Sequence, residues 1–354
     1  MWPYFTIVFF ILILQIRFTE NSTRNFNYNL AFLLLFCFAA LRGNGDGDYF
    51  AYLRYSSYIT SVDKVLDPNF PMEIGFRTIA YIVNKMGVHP QAVIAIMNLI
   101  SLTSIYKFIK RYSPDKMLSI LLFLPLYFQF DMHAARTAVA ISISTYSFKY
   151  IYEKKPLKFL LVIILASCFH KTALILIVMY FIGNMKVNKF IGVISMLMVA
   201  VLTTFISFSN IIFKMLKFLR LNSIANRYST YIYSVDYGYP FKLYDPRLLL
   251  VAGMYILAKA VLDSSDRIQN LLINYIWINA LLMIIFREHT VFVTRLTSYF
   301  NIYTIILVPY IIMQYRNSSN ISIYALSKIS SIYIYLAYII ALLIGKVEYK
   351  LFFI

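Results

Sequence analysis

The chain has 354 residues, of which 61% are hydrophobic and only 14% charged, and its mean hydropathy is +0.71. Soluble domains hold roughly 45–50% apolar residues, so this composition excludes a water-soluble globular fold, a disordered chain and a coiled coil. Two cysteines in apolar stretches, Cys37 and Cys168, exclude a disulfide scaffold and a CxxC metal site. The net charge of +18 would suggest nucleic acid in a soluble protein. In a chain this apolar, no nucleic-acid partner is expected; the basic residues belong at loop ends, against an anionic substrate, or both.

Apolar runs between charged breaks predict spans near 3–16, 30–41, 88–106, 117–130, 134–150, 159–169, 171–185, 190–208, 247–262, 268–286, 293–315 and 329–345. The expectation is a single all-α polytopic domain over 1–354, with about 10–12 transmembrane helices. Residues 2–16 lack a charged leader and a small-residue cleavage site, and so read as a first span rather than a removed signal peptide. The pairs 117–130/134–150 and 159–169/171–185 are short, as hairpins with polar tips or broken helices buried among others are.

Loop charge orients the spans. Lys107, Lys110, Arg111 and Lys116 stand after the third span, and Lys149, Lys154, Lys155 and Lys158 after the fifth. Both loops read as cytoplasmic. The long loops 42–87 and 209–246 then read as external, as do the tips at 131–136, 169–172 and 287–295. Loop 209–246 keeps Lys214, Lys217, Arg220, Arg227 and Lys242 on that face, an excess that an anionic substrate would explain.

The first external loop opens with Arg42-Gly43-Asn44-Gly45-Asp46-Gly47-Asp48-Tyr49, and Tyr52 follows. Closely spaced glycines let backbone approach a ligand. The Asn44-x-Asp46-x-Asp48 spacing lacks the glycine and closing glutamate of a calcium loop, and no metal is expected. Glu73 precedes an amphipathic pattern through Met86, predicting an interfacial helix whose positive end the carboxylate would cap.

At the next tip stand Asp131, His133 and Arg136, the last followed by small residues suited to close helix packing. An arginine entering a packed bundle needs an anionic partner: Glu73, Asp131 or a bound phosphate. His170 divides an apolar run, where it serves either as a base for a sugar hydroxyl or as a local cap. Arg295 lies one helical turn before Tyr299 on a shared face. Arg227 leads a tyrosine-rich stretch that suits either a membrane interface or sugar stacking. Arginine forks match phosphate oxygens in pairs, and no nucleotide-binding motif is present, so the set Arg42, Arg136, Arg227 and Arg295 suits a lipid diphosphate bearing a saccharide.

With these motifs in order, the sequence resembles the EpsG family of polysaccharide polymerases, related to Wzy-type O-antigen polymerases. The carrying residues are Arg42 with the Gly-Asp stretch through Tyr52, Glu73-Ile74-Gly75-Phe76, Arg136, Phe169-His170-Lys171-Thr172-Ala173-Leu174, and Arg295 with Tyr299-Phe300. The family's Gly-Thr-Asp triplet appears as Gly45-Asp46 without a threonine, leaving Asp46 and Asp48 both as matches.

The resemblance implies a bacterial inner-membrane glycosyltransferase, metal-independent and without a cofactor, working at the periplasmic face. A glycan on undecaprenyl diphosphate would pass to a sugar hydroxyl of a lipid-linked repeat unit, with inversion. Membrane lipid and a chain-length regulator are the further candidate partners. In this expectation His170, Glu73 or Asp46 supplies the base, and Arg42, Asp48, Arg136, Arg227, Arg295 and Tyr299 bind substrate. The rivals are a transferase using a lipid-phosphate sugar, a flippase for lipid-linked oligosaccharide and, least supported, an acyltransferase.

Overall fold

A computed structural model describes residues 2–15, 21–43, 48–220, 222–233, 239–240, 242–317, 321–344 and 348–353. Of the described residues 79% are helical, and the only strand-like pairing among them is a single antiparallel bridge between Arg42 and Leu351. Two compact units emerge, one from residues 1–177 with 308–354 and one from Val178–Leu307.

The first unit opens with α1 (Trp2–Leu14) and α2 (Asn21–Ala40), then places three helices inside the segment read as a loop: α3 (Tyr49–Tyr58), α4 (Val62–Leu66) and α5 (Ile74–Lys85). Next come α6 (Gln91–Tyr112) and α7 (Lys116–Leu126), the latter capped by the Asp115 carboxylate, which accepts from the Leu118 amide at 3.1 Å. Pro125 lies inside α7 and removes one backbone donor. Immediately after it the helix widens to a π turn over Tyr127–Asp131, where the Met132 amide donates to the Tyr127 carbonyl at 3.1 Å.

The chain then reverses into α8 (Ala135–Ser144), α9 (Ser147–Tyr152) and α10 (Pro156–Ser167), opened by its own proline. A 3-10 turn over Lys171–Leu176 leads to α11 (Ile177–Ile182). Helix α8 packs on α6 and α10, and α2 on α6; the α8 stripe Ala138, Ala140, Ser142 and Ser144 is buried throughout.

The second unit begins within α11 and holds α12 (Lys189–Phe205), α13 (Phe208–Phe218), α14 (Asn222–Tyr233), α15 (Pro246–Val261), α16 (Arg267–Ile285) and α17 (Thr290–Asn301). Helix α16 is its centre, packing on α12, α15 and α17. Asn188, Asp245 and Asp266 cap α12, α15 and α16 by accepting from backbone amides. The chain leaves this unit within α18 (Thr304–Asn317), and α19 (Ile321–Leu343) closes the first unit against α7.

Helices α6, α16 and α19 are long and apolar enough to cross a bilayer alone; α12 with α13, bent by 76°, and α17 with α18, bent by 50°, make up to five. The predicted apolar segments are largely helical among the described residues, and two of the candidate spans reach bilayer length only as bent pairs. The protein is an all-α, polytopic membrane protein.

Candidate functional site

In the first unit the chain ends of several helices meet around Arg42. Helix α2 stops where Gln91, at the start of α6, donates from Nε2 to the carbonyls of Ala40 and Arg42, each at 2.8 Å. The chain then pairs with the C-terminal segment: the Gly43 amide donates to the Lys350 carbonyl at 2.6 Å. A Cβ at Gly43 would lie 2.7 Å from the Leu351 carbonyl oxygen, so only glycine permits this approach. Thus fixed, Arg42 is 4% exposed, and its Nε, Nη1 and Nη2 make no hydrogen bond to any described residue. Burial dominates its surroundings, and the ionisable groups near it are Tyr52, Tyr127, Asp131 and Tyr4. Asp131, turned inward by the π turn, is 2% exposed, with Oδ1 unpartnered among the described residues. A small pocket beside Arg42 is lined by Tyr4, Met132, His133, Tyr349 and Lys350.

A second group adjoins through α3. The Asp48 amide donates to the His133 carbonyl at 3.1 Å, tying the start of α3 to the 131–134 tip. Tyr52, one turn on, donates its hydroxyl to Asp48 Oδ2 at 3.2 Å and accepts from the Arg136 amide at 3.3 Å. Burial pushes the Tyr52 phenol up to about 12 against the pull of Arg136, so it stays a donor at neutral pH. The Arg136 guanidinium stands 5.8 Å from the Tyr52 ring centroid and pairs with the Glu73 carboxylate.

Glu73 occupies the position that would cap α5, yet its side chain makes no capping bond. The ion pair draws it instead, because Arg136 enters a packed helix and is the stronger claimant on a carboxylate. Helix α5 is held in place by Gly75, whose amide donates to the Cys168 carbonyl at 2.7 Å. The same contact brings the tip bearing His170 to this end. The His170 Nδ1 lies 2.5 Å from Thr172 Oγ1.

Of the sequence-predicted residues, Arg42, Asp48, Glu73, Arg136 and His170 therefore fall at one end of the first unit. Asp46 and the side chain of Arg227 lie outside the described residues. Arg295 and the fully buried Tyr299 are on α17 of the second unit. There Arg287 binds the Thr203 hydroxyl and carbonyl at 3.2 and 2.9 Å, Glu288 accepts from the Ser207 hydroxyl at 2.7 Å, and Thr290 donates to the Tyr239 carbonyl. These contacts gather one end of that unit's helices around the start of α17. Tyr4, Tyr349 and Lys350, which flank Arg42, carry no sequence signal: they come from opposite extremes of the chain. Among the described residues no three His, Cys, Asp or Glu side chains gather to hold a metal ion.

The described residues thus form an all-helical membrane protein with a buried arginine and an arginine–glutamate pair at one end of the first unit. The EpsG family profile matches residues 25–352, and the chain belongs to that family of Wzy-like polymerases. No curated protein and no solved structure matches it.

Proposed function

We propose that the protein is a polysaccharide polymerase that transfers a growing glycan from undecaprenyl diphosphate to the terminal sugar hydroxyl of an incoming lipid-linked repeat unit. The observation that carries this reading is the Arg42 guanidinium, buried and without a hydrogen bond among the described residues. A buried guanidinium without hydrogen-bond acceptors is costly, and a diphosphate seated beside it would supply them.

In this mechanism the acceptor hydroxyl oxygen attacks the anomeric carbon of the donor sugar. The bond from that carbon to the diphosphate oxygen breaks, and the lipid diphosphate leaves with the bonding pair. Arg42 and Arg136 stabilise the charge that grows on the leaving oxygen; on the sequence pattern alone, Arg227 and Arg295 are further phosphate-binding residues. His170, oriented through Nδ1 by Thr172, accepts the hydroxyl proton at Nε2. Glu73 can serve in its place once the diphosphate draws Arg136 away. A single displacement inverts the anomeric carbon. The carboxylate of Asp48, with Asp46 before it, orients the acceptor, and Tyr299 supports Arg295. The active end faces the periplasm, across the bacterial inner membrane from the basic loops.

The test is gel analysis of surface polysaccharide in a deletion strain carrying Arg42→Gln. The expected result is single repeat units without long polymer, at unchanged protein level. Loss of a transition-state charge contact lowers rate by about 10²–10³. Wild-type chain lengths would remove Arg42 from the reaction, and loss of every repeat unit in the deletion strain itself would point to a flippase.

A further inference from the structure

Far from Arg42, at the other end of the first unit, a second polar recess is open. Helix α2 connects the two: its 20 residues span roughly 30 Å, the thickness of a bilayer core. The recess has a volume of about 470 Å³, within the range of ligand pockets of about 300–1,000 Å³. Five chain segments wall it: the end of α1, the start of α2, the turn before α7, the end of α18 and the start of α19.

Its charge is one-sided. Among the described residues, Arg24, Lys116, Arg316 and Lys328 line it against the one carboxylate of Asp115. That carboxylate is already committed twice, through Oδ1 to the Leu118 amide and through Oδ2 to Lys328 Nζ at 2.5 Å. The amides of Asn25 and Asn27 and the Gln15 side chain complete a polar lining. Gln15 Nε2 donates to the Met117 carbonyl at 3.3 Å and Asn27 Nδ2 to the Leu14 carbonyl at 3.1 Å, so the walls are joined to one another.

Basic residues at helix ends are expected from topology alone, and such residues ordinarily point outward to water. Here they converge from helices distant in sequence onto one concavity, where the described lining residues carry four positive charges against Asp115. We propose that this recess binds the phosphodiester headgroup of an anionic membrane lipid. The headgroup of a lipid lies at the depth of helix ends, and basic pockets between transmembrane helices suit it. A lipid seated there bridges the first helices of the unit to its last, α1 and α2 to α18 and α19. The proposal is independent of the polymerase reading, since it uses none of the residues assigned to the reaction.

The experiment places the full-length protein in phosphatidylcholine nanodiscs containing a minor fraction of phosphatidylglycerol and counts the phosphatidylglycerol retained on detergent extraction by native mass spectrometry. Retention of one phosphatidylglycerol is expected, weakened about fivefold by Arg316→Gln and about a hundredfold by the combined Arg24→Gln, Lys116→Gln, Arg316→Gln variant. Lys154→Gln with Lys158→Gln, which removes two charges that do not line the recess, is expected to retain the lipid as the wild type does. Equal loss in that control would mean general charge attraction and would overturn the site. So would retention unaffected by the triple variant. In a parallel arm, inorganic phosphate at millimolar concentration should not displace the lipid; displacement would assign the recess to a free anion instead.

Discussion

Arg42 and Arg136 meet their surroundings in opposite ways, and each makes its own prediction. Arg136 shares a partly buried pair with Glu73, their side chains 17% and 16% exposed. A double-mutant cycle with Arg136→Gln and Glu73→Gln should give a coupling of about 1–3 kcal/mol in thermal or denaturant unfolding. Additive effects would mean that the pair is too well solvated to matter. Arg42 is held without such a partner, beside the buried Asp131. Replacing buried charges by apolar or neutral groups of similar size is commonly neutral or stabilising by about 1–4 kcal/mol. The double variant Arg42→Met, Asp131→Asn should therefore unfold no earlier than the wild type and make no long polymer. A large loss of stability would identify Arg42 as a structural cation, and long polymer would free it from the reaction.

At the level of helices, glycine positions separate docking from mere turning. Gly75 sits where a Cβ would come within 2.8 Å of the Cys168 carbonyl oxygen and 2.9 Å of the Phe169 ring. Gly75→Ala must push α5 off the α10 end, at a cost of about 1–3 kcal/mol, and should carry Glu73 away from Arg136, so that polymer shortens as well. Gly87 has φ +68°, and a Cβ added there would meet nothing within 4 Å. Gly87→Ala meets only the left-handed backbone penalty of about 1–2 kcal/mol and should leave chain length unchanged. Polymer gels and unfolding curves of the two variants check both halves; equal polymer defects would refute the docking role of Gly75.

The same helices show what the sequence could disclose. The apolar runs are legible from their hydropathy, although only α6, α16 and α19 are long and apolar enough to cross a bilayer alone, and α5 is legible from its one-sided apolar spacing. Helices α3 and α4 are not: Tyr49–Tyr58 is aromatic and polar with weak local preference, and it is tertiary contact, through Asn84 Nδ2 to the Ser56 and Ile59 carbonyls at 2.7 and 2.8 Å, that holds it. The π turn after Pro125 is hidden too, since no side-chain pattern marks an i→i+5 register. A local rule makes Glu73 a helix cap. The sequence also offers Glu73, beside Asp131 and a phosphate, as a partner for Arg136, 63 residues away; packing is what selects Glu73 among them. Asp46 and the Arg227 side chain stay with the sequence reading alone.

Across the whole chain, the hydrogen bonds test whether the predicted alternation of loops is self-consistent within each unit. In the first unit, Arg42, Asp48, Glu73, the 131–134 tip and Lys350 are linked at one end, and Gln15, Asp115, Met117 and Lys328 at the other. In the second, Thr203, Ser207, Tyr239 and Arg287–Thr290 join at one end, while Asn270 and Asn274 reach the carbonyls of Ile182, Gly183 and Met185 at the other. Both groupings match the order in which charge assigns external and cytoplasmic segments. Single cysteines at Gly87, His133 and His289 should then react with an impermeant thiol reagent from the outside of intact cells or spheroplasts, in a background lacking Cys37 and Cys168. Cysteines at Pro114, Lys154 and Ser265 should react only after permeabilisation. Labelling of His133 and His289 from opposite sides would put Arg136 and Arg295 at different faces. A shared diphosphate could not then be gripped by both, and the polymerase mechanism would have to proceed with the first unit's arginines alone.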